Sequence, residues 1–254
     1  MNAMNAAETV RNLAVTIPGA TRVFEQWGID YCCGGAQTLQ EACEKLALPV
    51  EEIVRSLDLS AAPAESAGNW QTRPLADLAS HIVETHHSFT RNELERLERL
   101  FAKVCARHGE AHPELHAVEA LFHQLRLDLL PHMLKEEQVL FPYVIRLEEA
   151  FRQGRPVEPA FFGTVRNPVR MMSMEHDAAG DLLRQMRRET GGYAPPPDAC
   201  TSFQTLYQAL ADVEADLHEH IHLENNIFFP RAIALEQEAA PEAQRAGERK
   251  CPGQ

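Results

Sequence analysis

Two stretches of this 254-residue chain repeat one order of chemical groups. His132, Glu136, Phe141 and Pro142 in the first, and His220, Glu224, Phe229 and Pro230 in the second, both read His-x3-Glu-x4-Phe-Pro, at an offset of 88 residues (132 to 220). On an α-helix, residues four apart share one face with Cβ atoms about 6 Å apart. The imidazole and carboxylate can then reach one metal ion, or the carboxylate can bridge two. Two such helices facing each other supply two histidines and two bridging glutamates, the core of a two-metal site inside a bundle. Further imidazoles must come from the other helices. The candidates are His81, His86 and His87 together, His108 further along, and His176 alone. The chain has twelve histidines and none lies in the first 80 residues. Nitrogen and oxygen donors with no thiolate at metal spacing suit iron, and less well manganese or zinc; a structural zinc site favours cysteine. A lone His-x3-Glu is usually a solvated surface pair. Two copies inside apolar stretches are different, because uncompensated burial of charge costs several kcal/mol.

The elements that position these groups read as helices. Apolar residues at i, i+3 and i+4 run through four long stretches, 74–106, 113–153, 169–189 and 201–236, with Pro131 expected to kink the second. Residues 154–168 form a crossover. Strand signals are nearly absent, so the expected fold is all-α, a four-helix bundle over 73–238. Two shorter periodic stretches, 10–29 and 39–59, read as short helices of a small N-terminal domain covering 1–60. An Ala/Ser/Pro/Gly-rich linker, 61–72, and a polar, loose tail, 239–254, complete the division. His116, His123 and His218 lack such partners and read as surface residues.

Between the two short helices lies Asp30-Tyr31-Cys32-Cys33-Gly34-Gly35. Adjacent cysteines there could form a strained, easily reduced disulfide or offer a thiolate, or simply be buried at a tight turn. The other cysteines, Cys43, Cys105, Cys200 and Cys251, are scattered without any CxxC, so reduced thiols in a reducing compartment are expected. A formal charge of −13 disfavours nucleic-acid binding. No apolar run reaches the roughly 18 residues of a membrane span, and the N-terminus lacks a basic, then apolar leader, so a cytoplasmic protein is expected.

The bundle resembles the hemerythrin-like proteins, and nearly the whole chain resembles the di-iron proteins that repair iron–sulfur clusters, the repair-of-iron-centres family. The resemblance rests on the Cys-Cys-Gly-Gly loop, the His132 motif, Met174-Glu175-His176-Asp177, and Leu217 to Pro230 with its Leu-Glu-Asn-Asn. It implies two non-haem, carboxylate-bridged iron ions held by His87, His132, Glu136, His176, His220 and Glu224, with His108 as a further ligand. Periodicity alone leaves His86 and His87 as alternatives; the resemblance favours His87. The oxygen carriers place two histidines one turn apart on the third helix, whereas His176 has Met172 and Gly180 at those positions. Unless His108 replaces the missing ligand, one iron is less saturated, which favours reactivity or iron release over oxygen carriage. The resemblance implies repair of clusters damaged by nitrosative or oxidative stress through iron supply. Iron–sulfur client proteins and small diatomic molecules (nitric oxide, oxygen) would be the partners, and Cys32 and Cys33 would serve docking or thiol delivery. The alternatives are a di-iron enzyme reducing nitric oxide or reacting with oxygen or peroxide, and a non-enzymatic sensor. A homodimer is left open.

Overall fold

The computed structural model describes residues 6–60, 70–158 and 160–239. Most of the expected linker (61–69 of it) and the tail from 240 lie outside the described residues. All regular elements among the described residues are helical, and the only β pairings are two isolated bridges.

The first domain holds four short helices: α1 (Val10–Thr16), α2 (Ala20–Trp27), α3 (Leu39–Leu46) and α4 (Val50–Ser60). Each stretch expected as one helix is split in two. Pro18-Gly19 divides the first, with Gly19 at φ 80°. The second divides at Ala47, in the left-handed region at φ 53°, and Pro49. Thr9 caps α1, and Thr38 with Glu41 forms a capping box on α3. The Cys-Cys-Gly-Gly loop is clasped against α1 by Arg11 N donating to Gly35 O at 2.8 Å and Val10 N to Gln37 O at 3.0 Å. A Cβ on Gly35 would lie 2.7 Å from Tyr31 O, so the close approach of chain to chain there requires glycine.

Four long helical rods follow: α5 (75–108), α6 (114–152), α7 (Arg166–Glu189) and α8 (201–239). Three of them contain a π-helical turn, at Ile82–His87, Glu136–Leu140 and Leu223–Phe228. Pro142 and Pro230 follow the last two at equivalent positions. A proline ring clashes with the carbonyl four residues back and has no N–H to donate, and a wider turn relieves both problems. Pro131, by contrast, lies inside an α-helical run continuous from Glu114 to Lys135, so the irregularity expected there falls instead at 136–140. The repeat reaches beyond the site: Glu148 of α6 caps the start of α5 through Leu75 N at 2.7 Å, and Glu236 of α8 caps the start of α7 through Val165 N at 2.9 Å. These two glutamates keep the same 88-residue offset.

The bundle core forms two apolar clusters, one around Phe101, Phe122 and Phe203, the other around Leu78, Phe141 and Phe228. His87, His132, Glu136, His176, His220 and Glu224 lie where the two clusters meet. The first domain docks on α7 and α8. Asn226 Nδ2 donates to Tyr31 O at 2.9 Å, Asn225 Nδ2 to Cys32 O at 3.2 Å, and Arg184 pairs with Asp30 at 3.4 Å. Ile221 of α8 joins the first domain's core. His218 is not a free surface residue, since its ring meets the Tyr31 ring at 6.3 Å. His116 and His123 are exposed. No helix among the described residues is long and apolar enough to cross a membrane.

His222, on the same face, meets Tyr31 edge-on at 5.4 Å and is buried. Burial, with Arg11 adding to it, pushes its imidazole down from 6.5 to about 4. Below 6.5 the unfolded chain takes up a proton that the folded chain refuses. Stability is therefore full above pH 6.5 and falls as the pH drops to about 4, by about 3 kcal/mol from this group. Urea melts of wild type and His222→Gln between pH 7 and 4 check this: the variant is expected to lose the corresponding part of the slope.

Candidate metal centre

His87 from α5, His132 and Glu136 from α6, His176 from α7, and His220 and Glu224 from α8 converge in the gap between the two apolar clusters, all buried. Their donor atoms form two groups, His87, Glu136, His220, Glu224 and His132, Glu136, His176, Glu224, each with its atoms within 4.8 Å of one another. Both glutamates belong to both groups. Glu136 turns Oε2 to His87 Nε2 at 3.4 Å and Oε1 to His132 Nε2 at 3.3 Å. Glu224 turns Oε1 to His220 Nε2 at 3.2 Å and Oε2 to His176 Nε2 at 3.1 Å. The arrangement has two positions, each facing two imidazole nitrogens and one oxygen of each carboxylate.

Three of the four ring orientations are fixed from behind. His87 Nδ1 meets Glu137 Oε1 at 2.7 Å, and Arg91 holds that carboxylate. His132 Nδ1 meets Glu175 Oε2 at 2.7 Å, and Lys135 pairs with Glu175. His176 Nδ1 meets Asn225 Oδ1 at 3.0 Å. With the proton placed on Nδ1 toward these acceptors, the Nε2 lone pairs point inward. His87 Nε2 then faces His220 Nε2 at 3.2 Å, and His132 Nε2 faces His176 Nε2 at 3.1 Å. Phe141 stacks on His87 at 5.9 Å and Phe229 on His176 at 5.8 Å, which accounts for the phenylalanine in each repeat.

All four oxygens of Glu136 and Glu224 are buried without a hydrogen-bond donor. Burial opposes ionisation of both, yet the surrounding imidazoles hold both carboxyls below the usual range. Burial likewise opposes protonation of His132, but Glu136 and then Glu224 push it up to about 9. Two buried carboxylates with no donor, and inward lone pairs meeting in pairs, are a site built for cations. The donors are nitrogen and oxygen only, which fits iron.

A family model described as the hemerythrin HHE cation binding domain matches residues 78–232. A second, described as a domain of unknown function (DUF542), matches residues 6–61. The chain is 37 % identical over 225 residues to the iron-sulfur cluster repair protein YtfE of Citrobacter koseri, covering 88 % of this chain and 96 % of that one. It is 36 % identical, with the same coverage, to the protein of that name from Escherichia coli O17:K52:H18. To that of Yersinia pseudotuberculosis it is 36 % identical over 221 residues, or 87 % of this chain and 94 % of that one. The chain belongs to the iron–sulfur cluster repair family. Its bundle is the family's hemerythrin-like, cation-binding domain.

One expected ligand is elsewhere. His108 lies 21 residues beyond His87 on α5, about 30 Å along the axis. There it meets Cys200 Sγ at 3.1 Å and packs on Phe203. It cannot complete the centre, and each position is left with four protein donors. On α5 both alternatives are buried, because the π turn inserts a residue and brings both inward. His87 reaches the cluster, while His86 lies behind His220, with Nδ1 against Asp216 Oδ1 at 2.9 Å. Cys32 and Cys33 are free thiols with sulfurs 3.9 Å apart. Asp30 accepts from Cys33 N at 2.9 Å and Cys32 N at 3.2 Å. Its own burial opposes ionisation, but the backbone donors of Gly34 and Cys33 hold its carboxyl below the usual range. Cys33 Sγ lies 3.7 Å from His176 O, on the backbone side of α7, so the thiols flank the centre without entering it. Sequence reasoning missed the outer partners Glu137, Glu175 and Asn225. Each is adjacent in sequence to a candidate ligand, but which imidazole it serves depends on the pairing of the rods.

Proposed function

We propose that the chain holds two iron ions bridged by Glu136 and Glu224, one also bound by His87 and His220, the other by His132 and His176. It uses them to restore iron–sulfur clusters damaged by nitrosative or oxidative stress, supplying iron to client proteins. The observation that carries this is the pair of buried carboxylates that lack donors and turn one oxygen to each imidazole pair. The names of the relatives, iron-sulfur cluster repair proteins, support the same reading. The ions would supply an electrophilic, redox-active centre. The chain's own residues fix three of the four imidazoles from behind and shield the centre between two apolar clusters. Four protein donors per ion leave room for a small ligand such as nitric oxide or oxygen. The Cys32–Cys33 loop, tied by Asn225 to His176, is placed to dock a client or deliver a thiol beside the centre.

The test separates the thiols from the metal. Cys32→Ser/Cys33→Ser protein is expected to keep its iron content and absorption spectrum while restoring iron-depleted cluster protein at less than about a tenth of the wild-type rate, the size of effect that positioning groups have. Wild-type protein that carries iron but transfers none to a depleted cluster would refute supply. Loss of iron from the double variant would show that the thiols hold the metal.

A further inference from the structure

The two ion positions differ in what stands behind their imidazoles. Around His132 and His176 both outer nitrogens are tied, to Glu175 and Asn225. Around the other position only His87 is tied, to Glu137. His220 Nδ1 is buried without a partner, and so are His86 Nε2 and Asp216 Oδ2. The His86 ring lies on the His220 ring at 5.6 Å and 12° between planes. The His81 ring in turn stands edge-on to His86 at 5.6 Å.

His81 lines a cavity of about 1120 Å³ between the first domain and the bundle, whose wall also carries Asp77, Glu84 and Glu219 against one guanidinium, that of Arg73, which pairs with Asp77 at 3.2 Å. Glu219 directly precedes His220. A line of three imidazoles therefore leads from one ion position to a carboxylate-lined opening. His86 is only 3 % exposed, and with Nδ1 against Asp216 its unused Nε2 is a free donor atom for a cation along this line. The other position has no such line. It is backed by the Glu175–Lys135 pair and by Asn225.

An outer acceptor on a ligating histidine fixes the ring and strengthens the donor, and its loss typically weakens metal binding by about 10–100-fold. We propose that the ion held by His87 and His220 is the one the protein gives up, and that it leaves past His86 and His81 into the carboxylate-lined cavity. This rests on the two-iron reading above and adds which ion moves and by which path. Negative potential at the opening draws the departing cation outward and concentrates it there.

The test is release kinetics. Full-length protein loaded anaerobically with ferrous iron is mixed with excess phenanthroline and followed by absorbance. Two phases of equal amplitude are expected, with the fast one at least about 10-fold faster. His86→Leu removes the free donor but keeps bulk; it is expected to slow the fast phase about 10-fold, leaving iron content and the slow phase unchanged. His81→Leu, at the half-buried cavity wall, is expected to slow the same phase and decides the matter if the buried variant does not fold. Glu175→Leu, which unties His132, is expected to speed the slow phase. Two irons released in a single phase, or a fast phase unchanged by the histidine variants, overturns the route while the di-iron reading stands. Fewer than two irons in wild-type protein overturns both.

Discussion

Glu224→Ala is expected to purify with fewer than about 0.5 iron per chain, a loss of more than the 10–100-fold in affinity that follows removal of an outer partner. The glutamate offers one oxygen to each ion position, so a single substitution removes a donor from both at once. Glu136→Ala is expected to behave in the same way, because its oxygens divide between His87 and His132. A histidine change should be less symmetrical. His176→Ala takes a donor from one position only, and about one iron should remain. His108→Ala, against Cys200 at the far end of the bundle, should keep the full complement. Metal analysis of the purified variants reads all four. Two irons retained in Glu224→Ala would show that Glu224 is not a bridge.

Stripping the iron is expected to lower Tm by roughly 6–20 °C, with full recovery on reloading. Without cations, Glu136 and Glu224 are two buried carboxylates with no donor at any of their four oxygens. Leaving a buried charge uncompensated costs about 3–5 kcal/mol, and for a domain of this size each kcal/mol moves Tm by about 2–4 °C. Proton uptake by His132, whose neighbours push it up to about 9, offsets part of the loss. Ligand binding to the folded chain alone adds to the difference by mass action. Calorimetry on chelated and reloaded samples gives the number; a Tm that does not move would mean that the cluster is a neutral, self-satisfied polar core.

The fold class and the convergence of His132, Glu136, His220 and Glu224 were legible because an exact repeat of polar groups in apolar helices has few physical explanations. His86 against His87 was not legible: helical periodicity assumes 3.6 residues per turn, and residues 82–87 form a π turn that buries both. The cue was present at the other two sites, where glutamate and phenylalanine stand five apart and proline follows. Pro131 misled because a proline within an α-helix can be absorbed without a change of helix type. Glu148 and Glu236 keep the repeat's spacing, yet their role as caps on partner helices depends on contacts more than 70 residues away in sequence. His108 was carried by resemblance and not by geometry: 21 residues along one straight rod exclude it from the same site as His87.

A carboxylate-bridged pair of irons between Glu136 and Glu224 has its own spectroscopic signature. Mössbauer spectroscopy with metal analysis on protein grown in iron-57 tests it most directly. Two irons per chain are expected, magnetically coupled to a diamagnetic ground state when both are ferric. One iron per chain, or two that behave as isolated paramagnetic ions, would contradict it.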